Sequence, residues 1–173
     1  ICIFVRNLSM NLSRLFEKAQ SSGLYRFFLN QALRRFVPFN RSHRFQVDHI
    51  SQYALRIKAP YRRSNLNHLK GIHACAMATI AEISSGLLLI GTLDPERYRI
   101  ILKSLHLDYH YQAKSAATAR FEIDEDWLQD RVLEPLENAD RVFVDCTVNV
   151  FDDQENEVAT AIARWQIKDW KAV

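Results

Sequence analysis

Residues 67–82 read NHLKGIHACAMATIAE, and among them Asn67, His68, His73, Cys75 and Glu82 carry reactive or hydrogen-bonding groups. A carboxylate can take a proton from water, and a thiol can attack a carbonyl. Spacing decides what they can do together. If helix begins near residue 72, its first turn offers unpaired backbone N–H groups and a partial positive charge. Gly71 and the small residues after it let a ligand oxygen come close to that backbone, so the N–H of Ala74, with that of Cys75, is a candidate oxyanion donor. Glu82 lies eight residues beyond Ala74, about 12 Å along a helix. One helix therefore cannot bring both groups to a single carbonyl. Two copies running antiparallel across a two-fold axis can, and they do so twice.

The surroundings of Glu82 follow from the helix that must carry it. Residues 72–91 form the longest helical pattern, with Ile72, Ala76, Ile80, Ile83, Leu87 and Ile90 in an arc of about 80°, the expected core face. Glu82 lies about 120° from the centre of that arc, in a stripe with Cys75, Ala78, Ser85 and Gly86. A narrow stripe of small residues suits a cleft or a close helix-to-helix approach. A half-buried carboxylate there has a raised pKa, useful in a general base. The competing reading, in which Glu82 pairs with an arginine or caps backbone groups, stays open on these residues alone. Cys75 reads as a small buried cysteine rather than a nucleophile. The same stretch is long enough to cross a bilayer, but His73, Glu82, Ser84 and Ser85 interrupt it.

Other elements frame this helix. Residues 10–38 read as two short amphipathic helices, broken at the SSG of 21–23 and ended before Pro38. They are expected to cover the domain, ahead of capping a pocket or lying on a membrane. Residues 43–59 alternate as two short strands ending at Pro60. After the stop GTLDPE come a strand within 97–114, a second over 117–123, an acidic insertion over 124–140, and two long strands joined by the turn DDQENE. The order predicts an α+β fold, one long helix against an antiparallel sheet of about six strands. The expected division is a helical extension, 1–40, and a main domain, 41–173.

Composition narrows the classes of function. The 173 residues carry net charge +3, with 48% hydrophobic and 25% charged residues. That charge is too small to hold a duplex through phosphates unless concentrated. Arg26, Arg34, Arg35, Arg41, Arg44, Arg56, Lys58, Arg62, Arg63 and Lys70 crowd the first half. They read as a solvated basic face, with the phosphates of a nucleotide-bearing ligand as the alternative. Three dispersed cysteines, Cys2, Cys75 and Cys146, argue against a disulfide framework or a zinc site and fit a reducing cytoplasm. His106, Asp108 and His110 share a strand face, but same-face neighbours about 7 Å apart are too wide for one ion. No metal or cofactor is expected. Met10 is a candidate natural start.

The pattern N-x5-H-A-C-x6-E, with the order of elements, resembles the hotdog-fold thioesterases, especially the phenylacetyl-CoA thioesterase-like branch. That branch carries an Asn, then His-Gly-Gly opening the central helix, then an acidic residue nine positions after the His. Asn67, His73 and Glu82 stand at those spacings. Ala74 and Cys75 replace the two glycines, and Glu replaces the commoner Asp. HACAMATIAE also resembles thioesterase-like hotdog families of unknown function. The likeness covers residues 40–170.

The resemblance implies that Glu82 is general base or nucleophile toward a thioester carbonyl. It implies that the Ala74 N–H polarises that carbonyl and that Asn67 orients the water or acyl group. Cys75 would lend its N–H beside that of Ala74, His73 would shape the substrate-binding loop, and Lys114 and Arg120 would meet coenzyme A phosphates, although Ala113 stands where those families carry Pro. The expectation is a homodimeric acyl-CoA or acyl-carrier thioesterase-like protein, with pairing of dimers left open. The rival is a catalytically silent hotdog that binds an acyl thioester or lipid-like ligand. A hotdog hydratase ranks third because its His or Asp-His motif is missing, and a nucleic-acid binder ranks last.

Overall fold

In the computed structural model, residues 14–169 are described. The candidate start at Met10, the helix expected over residues 10–13, Cys2 and Trp170 lie outside them. Three helices lead the chain: α1 over residues 14–21, α2 over Gly23–Phe36 and α3 over Pro38–His43. Strands β1 (Gln46–Ile50) and β2 (Ala54–Ala59) follow, then the long helix α4 (Ala74–Thr92). The rest is β3 (Tyr98–Tyr109), β4 (Ala117–Glu122), a helical insertion of α5 (Glu125–Leu128) and α6 (Glu134–Asn138), and the hairpin β5 (Arg141–Asp152) and β6 (Glu157–Asp169).

The six strands form one antiparallel sheet in the order β1-β2-β4-β5-β6-β3. One of its two longest ladders is set by the β5–β6 turn. There Asp152 Oδ1 accepts the N–H groups of Gln154 (2.8 Å) and Asn156 (3.0 Å), and Glu155 takes the left-handed conformation at φ 63°. Helix α4 lies against the inner face of this sheet and touches β2, β3, β4, β5 and β6. Alternation supplies that face: Leu55 and Ile57 from β2, Val148 and Val150 from β5. Buried alanines, Ala117 and Ala119 on β4 and Ala159, Ala161 and Ala163 on β6, leave room for the helix to sit close. Each fully buried Leu or Ile, such as Ile80 and Leu88, contributes about 1.5–3 kcal/mol. This α+β arrangement of six strands around one long helix is the one the resemblance implies.

Three local expectations change. Pro38 ends α2 as expected, but it also occupies the first turn of α3, where its missing N–H costs nothing. Strand β3 ends at Tyr109, because the backbone of Ala113 turns away to accept the N–H of Ile72. The buried face of α4 is rotated by about 90° from the predicted arc. It centres on Met77, Ile80, Ala81, Ser84 and Leu88, while Ile83 and Ile90 are half-buried on the flank. Two serines sit in this core because each finds a bond. Ser84 Oγ donates to Ala81 O (2.9 Å), and Ser85 Oγ accepts the indole N–H of Trp165 (3.0 Å).

By length and composition α4 is also apolar enough to cross a membrane, and about half of it (56%) is buried by the rest of this chain. The uncovered remainder carries Cys75, Thr79, Glu82, Ile83 and Ile90.

Candidate functional site

The start of α4 is held by a residue that the motif search passed over. Asn65 is buried, at 1% exposure. Its Nδ2 donates to the carbonyls of His43 and Pro60, each at 2.9 Å, and its Oδ1 accepts from His43 Nδ1 at 2.9 Å. Its own carbonyl accepts the N–H of His73 at 2.8 Å. Through its side chain this residue ties α3 to the end of β2, and through its carbonyl it holds the residue before α4. A polar group buried this deeply persists only with its bonds satisfied.

Asn67 lies two residues further, half-exposed. Its Oδ1 accepts the N–H groups of Leu69 (2.9 Å) and Gly71 (3.1 Å), so the oxygen shapes its own turn, and the Nδ2 has no partner among the described residues. Gly71 leaves room for the Gln112 side chain. A Cβ there would lie 2.5 Å from Gln112 Cγ, and Gln112 Nε2 in turn donates to Leu69 O at 3.3 Å.

His73 caps α4. Its Nδ1 accepts the N–H of Cys75 at 3.0 Å, which uses one of the two donors expected at the helix start. The N–H of Ala74 has no partner among the described residues, and Ala74 is exposed. Tyr109 adds an unexpected group: its hydroxyl donates to Ala74 O at 3.2 Å. Burial raises the phenol's pKa, and the nearby Cys75 adds to the rise. The signal was present in the alternation Leu105, Leu107, Tyr109, which directs Tyr109 toward the helix. Cys75, expected buried, is exposed on the uncovered flank. The buried cysteine is Cys146, whose thiol is pushed up to about 12 by burial and by Asp145.

Glu82 sits on the same flank as Cys75. It is half-buried, and its carboxylate has no hydrogen bond or ion pair among the described residues. Burial holds its pKa above the ordinary carboxylate value. An unpaired carboxylate on a core helix costs stability, since desolvation without compensation disfavours its charged form.

The basic candidates separate. Lys114 lines a surface cleft of about 420 Å³ with Tyr111, Gln112, Ser115, Asp152 and Asn156. Through Gln112 this cleft adjoins the 67–72 loop that leads to Ala74. Arg120 is occupied: it pairs with Glu155, and its guanidinium lies 4.4 Å from the centre of the Phe151 ring. His106 and Asp108 are exposed and 3.5 Å apart, while His110 bonds Thr160 at 2.9 Å. No cluster of three metal-ligating side chains occurs among the described residues.

A family model described as a domain of unknown function, DUF4442, matches residues 26–167. No curated protein matches the sequence. Among solved structures, a protein of unknown function from Pseudomonas aeruginosa, described as a probable thioesterase, is similar with a TM-score of 0.75 at 22% identity, over 83% of this chain and 95% of that one. A thioesterase enzyme from Staphylococcus aureus is similar with a TM-score of 0.61 at 14% identity, over 76% and 99% of the two chains. A thioesterase from Haemophilus influenzae is similar with a TM-score of 0.63 at 10% identity, over 82% and 88%. At these identities the likeness is one of fold, the hotdog fold.

Proposed function

We propose, from the premise that this chain belongs to the DUF4442 family and folds as a hotdog, that it is a thioester hydrolase acting on an acyl-CoA or acyl-carrier thioester as a homodimer. The observation that carries this reading is the pairing on one helix of an unpartnered, half-buried Glu82 with an unpaired Ala74 N–H. The likeness to proteins described as thioesterases supports it.

Dimer geometry follows from the helix. For Glu82 of one copy to reach Ala74 of the other, antiparallel α4 helices must cross midway between them, near Ala78. That residue is small and half-exposed, which permits close approach. Strand β3 supports the same arrangement. Among the described residues it pairs only with β6, which leaves its other edge, twelve residues long, without a strand partner there. An open edge of that length is a template for pairing.

In the proposed reaction the Glu82 carboxylate takes a proton from a water molecule, and the hydroxide attacks the thioester carbon. The carbonyl oxygen becomes an oxyanion held by the Ala74 N–H of the second copy. Collapse breaks the C–S bond, and the proton on Glu82 passes to the leaving sulfur. The products are a carboxylic acid and a free thiol. A raised pKa brings the base toward the operating pH, where general-base catalysis is most efficient. The cleft at Lys114 suits the phosphate-bearing end of the carrier, although Asp152 in the same lining weakens its pull on anions.

One observation favours a second reading. His73 consumes the Cys75 N–H, leaving a single donor, and losing one oxyanion donor costs about 10²–10³ in rate. A hotdog that binds a thioester without cleaving it fits that geometry. A panel of acyl-CoA substrates, with release of thiol as the readout, separates the two. Turnover by wild type that falls at least about 100-fold in Glu82→Gln, with the dimer intact by sedimentation, supports hydrolysis. Binding without turnover supports the second reading. Turnover unaffected by Glu82→Gln overturns the mechanism.

A further inference from the structure

We infer that the outer face of α2 and the α2–α3 corner form a docking surface for an anionic lipid bilayer. Between Lys18 and Val47 the sequence holds six cations, Lys18, Arg26, Arg34, Arg35, Arg41 and Arg44, and no Asp or Glu. The whole chain is only +3, so the remainder is net negative and the excess of positive charge comes from this segment. None of the six has an ion pair among the described residues.

The same segment exposes apolar side chains. Seven of the fourteen exposed large hydrophobic residues fall between Leu24 and Phe39. On α2, Leu24, Phe27 and Phe28 are 63%, 54% and 49% exposed, with Leu24 and Phe27 on the side opposite the buried Leu29 and Phe28 on the flank between them. Phe36, Val37 and Phe39 extend the exposure around the corner into α3. These residues do not hold α2 in place. Its anchors are on the inner side, where Leu29 is buried and Asn30 exchanges two hydrogen bonds with the Val47 backbone, at 2.7 and 3.2 Å.

Charge complementarity identifies the occupant. Exposed Phe and Leu flanked by Arg, without acids, is the pattern of a helix that lies in the headgroup region, its rings in the acyl boundary and its cations on phosphates. A second copy of this surface would oppose six like charges with six more, which disfavours self-pairing through it. The surface lies on different elements from Glu82 and Ala74, so it stands or falls independently of thioester hydrolysis.

The test is flotation of the full chain with lipid vesicles, one set of phosphatidylcholine and one of phosphatidylcholine with a quarter phosphatidylglycerol. Binding is expected to the anionic vesicles, about tenfold weaker to the neutral ones or in high salt. Phe27→Ser with Phe28→Ser, and separately Arg35→Gln with Arg41→Gln, should each weaken it about tenfold. Thermal unfolding should stay unchanged, because these side chains are exposed. Failure of wild type to float with anionic vesicles overturns the inference, as does undiminished binding by both variants. If the Phe variant instead disrupts a wild-type oligomer that does not float, the face belongs to a second copy, which also overturns it. Retention of wild type by an acidic protein in place of the vesicles does the same.

Discussion

The hydroxyl of Tyr109, at the end of edge strand β3, donates to the carbonyl of Ala74 in the first turn of α4, at 3.2 Å. The bond couples the strand that would meet a second copy to the residue whose N–H would hold the oxyanion. Tyr109→Phe keeps the ring and removes the bond. Because the side chain is partly exposed, unfolding should shift by less than about 1 kcal/mol. If the bond positions Ala74, kcat on an acyl-CoA should fall several-fold with KM little changed. Equal kcat in the two proteins would show that the tyrosine is only a packing residue.

Glu82 should make stability depend on pH in a specific direction. Its folded pKa is raised by burial, so the folded state binds the proton more tightly than the unfolded state. Its contribution is fullest below the ordinary carboxylate value, about 4.3. It is lost as pH rises through the raised folded value. Glu82→Gln should therefore melt at a higher temperature than wild type near neutral pH, and the gain should vanish at acid pH. Melts of both proteins across that range check the sign. A variant less stable than wild type at neutral pH would mean that the carboxylate has a partner.

The buried Trp165–Ser85 bond should be worth more than its exposed counterparts. Ser85→Ala leaves the indole N–H unpaired in the core, at a cost of about 1–3 kcal/mol. At this chain length each kcal/mol lowers Tm by about 2–4 °C. Gly86→Ala should cost about the same for another reason: its Cβ would lie 2.6 Å from Trp165 Cη2, and a well-packed core resists the addition. Removing both partners in Ser85→Ala/Trp165→Phe should cost less than the sum of the single changes. Additivity would deny the coupling.

The two described cysteines should react differently. Cys75 is exposed, and Cys146 is buried with its thiol pushed up to about 12, so it holds almost no thiolate at neutral pH. Alkylation of the folded protein followed by peptide mapping should mark Cys75 within minutes and leave Cys146 intact until denaturant is added. Modification at Cys75 should also abolish turnover by filling the space beside Ala74. Rapid labelling of Cys146 in the native protein would contradict the packing.

Long-range order was legible in the sequence where periodicity was strong. The nineteen apolar-rich residues of α4 and the alternation of β5 and β6 specify one helix on an antiparallel sheet, and the sheet has six strands. Periodicity was weaker at choosing the buried side. The sheet curls around α4 and covers Ser84 and Ser85, whose hydroxyls find partners, while Ile83 and Ile90 stay on the flank. A wheel that scores only apolar residues cannot anticipate a serine bonded to a tryptophan eighty positions away. The same limit hid Cys75. Its neighbours are small and apolar, yet it lies on the flank of α4 that also carries Thr79 and Glu82, away from the buried side.

Asn67 and Asn65 show the difference between a spacing and a function. The motif selects Asn67, but the buried clamp is Asn65, whose partners His43 and Pro60 are distant or unremarkable in the sequence. Asn65→Ala strands two carbonyls and a histidine N–H and should cost about 1–3 kcal/mol, lowering Tm whatever the substrate. Asn67 requires a different variant. Its oxygen serves the turn through Leu69 and Gly71, and only its Nδ2 remains for a ligand. Asn67→Asp keeps the acceptor and removes the donor. If the amide orients water or the acyl group, this variant should retain its Tm while losing about tenfold or more in kcat. Should Tm and kcat both match wild type, Asn67 is a turn residue and the orienting role falls away.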